Sequence, residues 1–104
     1  MITEVLRYGI PVGEAAAFEA AYAEAGKILR DSVHCLGFEL LHGTEEPVNW
    51  VLTIRWTSSE GHLQGFRKSP KFPEFFRLVK PFFAQIQEMK HYESTTVNWS
   101  GPSR

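Results

Sequence analysis

The chain has 104 residues, enough for one domain with a real core, and 43% of them are hydrophobic and 13% aromatic. Its formal net charge is -1, with 11 Lys+Arg against 12 Asp+Glu and no basic block, which argues against nucleic acid or a charged membrane surface as partner. No apolar run reaches membrane-spanning length and the opening MITEVLRYGIPVGE carries no cleavage pattern, so the cytoplasm is the expected location.

Ile2–Ile10 reads as a strand with Leu6, Tyr8 and Ile10 on one face and Thr3, Val5 and Arg7 on the other. Pro11-Val12-Gly13 ends it. Glu14–Asp31 predicts the clearest helix, because Phe18, Ala21, Tyr22, Ala25, Ile28 and Leu29 recur at helical spacing. Val33–His42 predicts a second strand, on which Cys35, the single cysteine, is a small core residue; alone it forms no intramolecular disulfide. Gly43–Pro47 is a turn. Asn49–Trp56 is the most apolar strand, with Trp50, Leu52, Ile54 and Trp56 on one face. Thr57-x-x-Glu60 has the form of a capping box and starts a short helix to about Lys68, weakened by Gly61 and Gly65. Ser69-Pro70 signals a further helix start, whose stripe is Phe72, Phe75, Phe76 and Val79. Pro81 kinks or ends that helix, with Phe82, Phe83 and Ile86 extending its apolar surface. Met89–Val97 alternates as a last strand, and 98–104 is a loose tail from which only Trp99 is expected to dock.

The order β-α-β-β-α-β is the split βαβ, ferredoxin-like pattern: an α+β domain over residues 1–97 with a four-stranded antiparallel sheet and helices on one face. The opposite face carries Val5, Cys35, Leu41, Val51 and Thr53, too apolar to sit in water across a whole sheet. A second copy of the chain is the economical cover, so a homodimer packed sheet against sheet is expected.

The run Cys35-Leu36-Gly37-Phe38-Glu39-Leu40-Leu41, followed by Glu46-Pro47, Val51–Trp56 and Ser69-Pro70-x-Phe72, resembles the antibiotic biosynthesis monooxygenase family from Ile2 to Glu93. The resemblance implies a dimeric α+β barrel. It also implies, from the best characterised members, oxidation of phenolic or polycyclic aromatic molecules to quinones with molecular oxygen and no cofactor. Other members isomerise or degrade small metabolites, or have no known substrate, and a non-catalytic binding module of the same fold is a further reading. A related branch degrades haem with an asparagine on the first strand, a tryptophan ending the third and a histidine on the long helix. Here Leu6-Arg7, Trp56 and Phe76 hold those places, so only the tryptophan is kept and haem cleavage ranks last. Many members have Pro-Gly before the second strand, where this chain has Val33-His34.

Cofactor-free oxidation of a phenol needs a base, a cation or hydrogen-bond donor for the developing anion, and a dry apolar wall. Trp56 is the candidate wall and His62, one turn into the short helix, the candidate base. Phe66, Phe72 and Phe76, with Phe75 beside them, are core residues of which a subset lines any pocket, and Tyr22 faces the same region with a hydroxyl to donate. His91 reaches either that pocket or the dimer interface. Arg67 and Arg77 are solvated helix charges able to attract an anion. Arg55 points away from Trp56 and is expected to pair across the dimer, with Glu39 as a partner on the same face. His34 and His42 flank the second strand as turn or edge residues. No two histidines have helical i, i+4 spacing, so no metal site is expected.

Overall fold

Strict alternation of side chains on β1 and β3 dictates a sheet with one apolar face, and the fold is built around it. The computed structural model describes residues 1–102. The chain forms β1 (Ile2–Gly9), α1 (Ala15–Arg30), β2 (Cys35–His42), β3 (Asn49–Trp56), a π-helical turn (Gly61–Phe66), α2 (Phe72–Val79), a 3-10 segment (Lys80–Gln85) and β4 (Ile86–Glu93). The sheet order is β2-β3-β1-β4, antiparallel throughout, with both helices over one face. This is the ferredoxin-like architecture that the element order predicts.

The two central strands set the register of everything else. Tyr8 lies opposite Trp50, Leu6 opposite Leu52 and Glu4 opposite Ile54. On the other side of β1, Leu6 faces Met89 and Glu4 faces His91. α1 covers this face with Phe18, Tyr22, Ala25 and Leu29, as its spacing predicts. Gly26 is buried there too, because a Cβ would collide with the ring of Phe38. Lys27 and Arg30 close the last turn, where cations complement the carbonyl end of the helix.

Four boundaries differ from the sequence expectation. β2 begins at Cys35, because residues 32–34 turn and leave Val33 exposed. Ser58, not Thr57, caps the turn after β3: its Oγ accepts from Gly61 N–H at 2.9 Å, and Glu60 stays in solvent. α2 starts at Phe72, with Pro73 in its first turn, while Ser69 Oγ is buried without a hydrogen-bond partner and makes no cap. β4 spans Ile86–Glu93 and not Met89–Val97. The 3-10 segment holding Pro81 ends early enough to free Ile86, and β1 runs out as a template at Met1, whose carbonyl accepts from Ser94 N–H. Beyond it, Trp99 does not dock: it is 83% exposed. Of the expected tail, 103–104 lie outside the described residues.

Buried between α1 and β1, the hydroxyls of Tyr8 and Tyr22 hydrogen-bond to each other. Burial raises both phenols; Tyr8 is pushed up to about 12. An unfolded tyrosine ionises near pH 10. The native state therefore holds its Tyr8 proton more tightly, and this contribution to stability, complete below about pH 10, is lost as pH rises through about 12. Urea midpoints are expected to fall across that interval, ahead of tyrosinate absorbance in the native baseline. Tyr22→Phe alone strands the Tyr8 hydroxyl and is expected to cost about 1–3 kcal/mol, while the double Phe variant recovers part of the loss.

Candidate active site

Trp56 ends β3 with its indole buried, and the chain then turns sharply so that the next segment folds back over it. That segment is wound wider than an α-helix. Arg67 N–H donates to the carbonyl of His62 at 3.1 Å, an i+5 bond. In an α-helix residue i+5 points well away from residue i; one wide turn brings Arg67 back to the side of His62. Gly65 permits this fold-back, since a Cβ there would strike the imidazole of His34.

His62 is 4% exposed, and its ring stacks on Trp56 at 4.4 Å between centroids and 11° between planes. The imidazole of this candidate base lies inside the core. Its Nδ1 is 2.9 Å from Nε2 of His91. Its Nε2 is 3.5 Å from Glu4 Oε1, and His91 Nε2 is 3.9 Å from Glu4 Oε2. Glu4 is 3% exposed and accepts a hydrogen bond from Trp56 Nε1–H at 3.1 Å. Three groups from β1, the π-helical turn and β4 therefore meet, with ligand atoms all within 4.8 Å of one another. Chain spacing does not see this gathering, because it searches neighbours in the chain and these three are neighbours only in the fold.

Burial decides the electrostatics. Desolvation raises the Glu4 carboxyl above its ordinary range, opposed by the Trp56 hydrogen bond and by the charges of His91 and Arg67. Desolvation lowers His62 to about 4, and the charges of Arg67 and His91 push the same way. His62 is therefore neutral at pH 7, with one ring nitrogen carrying a proton and the other a lone pair.

Glu4, His62 and Arg67 border a cavity of about 50 Å³ between sheet and helices. Its remaining wall includes Trp56, Tyr22, Phe66, Phe72, Phe75 and Phe76, so the aromatic residues singled out in the sequence do converge. Tyr22 reaches the wall with its ring, but its hydroxyl is engaged by Tyr8. His91 lies behind Glu4 and His62, on the pocket side of the sheet and 33% exposed. A wider groove of about 430 Å³ shares Tyr22 and Leu52 with the cavity and holds His42 stacked on Trp50. Arg77 does not border either space, and Arg55 lies across Gly37 on the opposite face with no ion pair among the described residues. Cys35 is half-buried, and its thiol is held up by desolvation.

Glu4 is the site residue that sequence reasoning missed. Its position two before Leu6 places it on the Leu6–Tyr8–Ile10 face, so alternation alone marks it as an acid pointed at the core.

The fold has counterparts among known proteins. The sequence profile described as "Antibiotic biosynthesis monooxygenase" matches residues 1–78. The Bacillus subtilis (strain 168) protein YczJ is 26% identical over 93 residues, covering 89% of this chain and 98% of its own. A crystal structure from Bordetella bronchiseptica, assigned to the antibiotic biosynthesis monooxygenases, is 29% identical with a TM-score of 0.78 over 90% of this chain and 96% of that one. SnoaB, a cofactor-independent oxygenase from Streptomyces nogalater, shares the fold at 17% identity, with a TM-score of 0.73 over 93% and 97% of the two chains. A profile match over most of the domain, on the β-α-β-β-α-β frame that carries the aromatic pocket, makes this chain a member of the antibiotic biosynthesis monooxygenase family.

Proposed function

We propose that the chain is a cofactor-independent oxygenase that converts a small phenol to a quinone with molecular oxygen, working as a homodimer joined through its sheet faces. The observation that carries this reading is a buried carboxylate and a neutral imidazole, Glu4 and His62, beside a cation, Arg67, on the wall of one aromatic cavity. Kinship with SnoaB, described as a cofactor-independent oxygenase, supports it.

The chemistry follows from these groups. A phenolate yields an electron to oxygen far more readily than a phenol, so the first task is deprotonation. His62 takes the phenolic proton on its free nitrogen, and Glu4, a stronger base than an exposed carboxylate because it is desolvated, stabilises the imidazolium. Arg67 faces the developing phenolate. Oxygen then combines with the ring; one of its atoms becomes the new carbonyl and the other leaves as water with the ring and hydroxyl hydrogens, so that phenol plus O₂ equals quinone plus H₂O.

Size narrows the substrate. A dry cavity that holds benzene measures about 150 Å³, and this one is about 50 Å³. A guest must therefore displace Phe72 and Phe76, which are only half-buried. One ring is easier to admit than three. The same tightness favours a second reading, a binding module whose phenylalanines fill their own pocket. An oxygen electrode separates the two. Single-ring phenols with a free para position, 1-naphthol and anthrone would be supplied in turn, with and without EDTA. Oxygen uptake above the protein-free rate, unaffected by chelator and largest for the small phenols, is expected; no uptake with any of them would overturn the oxygenase reading and leave a binding module or a non-oxygenase enzyme.

The dimer rests on Val5, Val51, Leu41 and Tyr92, which share the sheet face that neither helix covers. Light scattering is expected to return twice the chain mass, and Val51→Lys, at the middle of that face, to return one chain mass with the helical circular dichroism intact.

A further inference from the structure

We propose that Glu4, His62 and His91 form a binding site for one divalent first-row transition cation. The inference goes beyond the oxygenase reading and does not depend on it. Among the described residues this is the one place where three such groups gather. Two imidazoles and a carboxylate are a borderline nitrogen and oxygen donor set, suited to Zn(II), Co(II) or Fe(II) and poorly suited to Ca(II) or Mg(II). A cation about 2.0–2.2 Å from each donor spaces the donors roughly 3–3.6 Å apart. The separations here are 2.9 Å between the two imidazoles, 3.5 Å from His62 to Glu4 and 3.9 Å from His91 to Glu4. Some rotation of His62 is needed, because it shows Nδ1 to His91 and Nε2 to Glu4; a single nitrogen must serve the cation.

Two features outside the donor set favour binding. Trp56 Nε1–H donates to Glu4 Oε1 and holds the carboxylate in place, the support that metal-binding carboxylates commonly receive. The indole also stacks flat on His62 and shields that imidazole from solvent. Three protein donors leave coordination positions open, and the apolar cavity adjoins them, so a small oxygen or nitrogen donor from solvent or a guest completes the shell. Cation binding and proton uptake by His62 draw on the same lone pair and therefore exclude each other.

The test needs no substrate. Protein stripped with EDTA and dialysed is titrated with Co(II), read by visible d–d absorption, and with Zn(II), read by competition against a chromophoric chelator. One equivalent is expected to bind. His91→Ala, on an edge strand and partly exposed, is expected to weaken binding by more than about 100-fold, and Trp56→Phe by about 10–100-fold. His34→Ala is expected to bind as wild type does. If His91→Ala does not fold, Glu4→Gln supplies the same readout, since it keeps an acceptor for Trp56 and loses the charge. Absence of stoichiometric uptake by the wild-type chain, or uptake that persists undiminished in His91→Ala or Glu4→Gln, overturns the proposal. Either result leaves chelator-insensitive oxygen uptake to be judged separately.

Discussion

Trp56→Ala is expected to cost about 3–5 kcal/mol of stability, and more if the Glu4 carboxylate left without its donor stays ionised. The indole is 1% exposed and packs against both His62 and Phe66. Removing it opens a cavity at the joint between β3 and the π-helical turn. Trp56→Phe separates the two contributions. It keeps most of the ring and deletes the N–H that reaches Glu4 at 3.1 Å. A hydrogen bond to a charged group is worth about 1.5–3 kcal/mol, and a loss of that order is expected from urea denaturation near neutral pH. Glu4→Gln should cost little or even stabilise, because it ends the burial of a charge while keeping an acceptor. Combining Glu4→Gln with Trp56→Phe should then cost less than the sum of the two. A Trp56→Phe protein as stable as wild type would mean that the indole bond contributes nothing and that the cluster is held by packing alone.

His62→Gln is the second large effect, and it concerns turnover. If His62 accepts the phenolic proton, its loss is expected to lower kcat about 10²–10⁴-fold, the usual range for a positioned general base. On the same proposal KM should move much less, since the ring of the guest would be held by Trp56 and the phenylalanines that line the cavity. Glutamine has no basic nitrogen, so it preserves polarity without offering a proton acceptor of imidazole strength. Arg67→Gln should separate differently, raising KM for an anionic or readily ionised phenol as well as slowing the step. Steady-state oxygen uptake on both variants, alongside their thermal unfolding, would read this out. Equal kcat for His62→Gln and wild type would remove His62 from the chemistry and return it to the core.

Much of the frame is legible before any coordinates. The alternation of Trp50, Leu52, Ile54 and Trp56 and the stripe Phe18–Leu29 state which faces are buried, and the element order then leaves few topologies. The phenylalanine cluster converges as its helical spacing suggests. Other features resist reading because they are decided by tertiary contact. Thr57-x-x-Glu60 has the form of a cap, yet the backbone bends one residue later and Ser58 supplies the oxygen. Nothing local in GHLQGF announces an i+5 hydrogen bond; that winding answers the demand that His62 and Phe66 both meet Trp56 while Gly65 clears His34. The last strand is displaced because its start depends on where the 3-10 segment releases the chain and its end on where β1 stops. Alternation on the last strand leaves His91 open between the pocket and the dimer interface; only the register, which sets it opposite Glu4, puts it on the pocket side.

Glu4 is hard to read in the sequence for a different reason. An acid inside an apolar alternation is easily read as a solvent-facing exception, when parity says the reverse. Such a residue resists burial unless something meets it, and here an indole N–H and two imidazoles do.

The register that seats Glu4 between Ile54 and His91 also dictates how the cluster comes together. Its members are contributed by the opening strand, a mid-chain turn and the closing strand, so each junction is non-local. No hairpin or helix pair contains it in miniature. The indole and the first imidazole reach the acid from β3 and the turn, and the second imidazole reaches it only through the pairing of the first and last strands. A chain without that last segment would keep Glu4, Trp56 and His62 but lose the second imidazole.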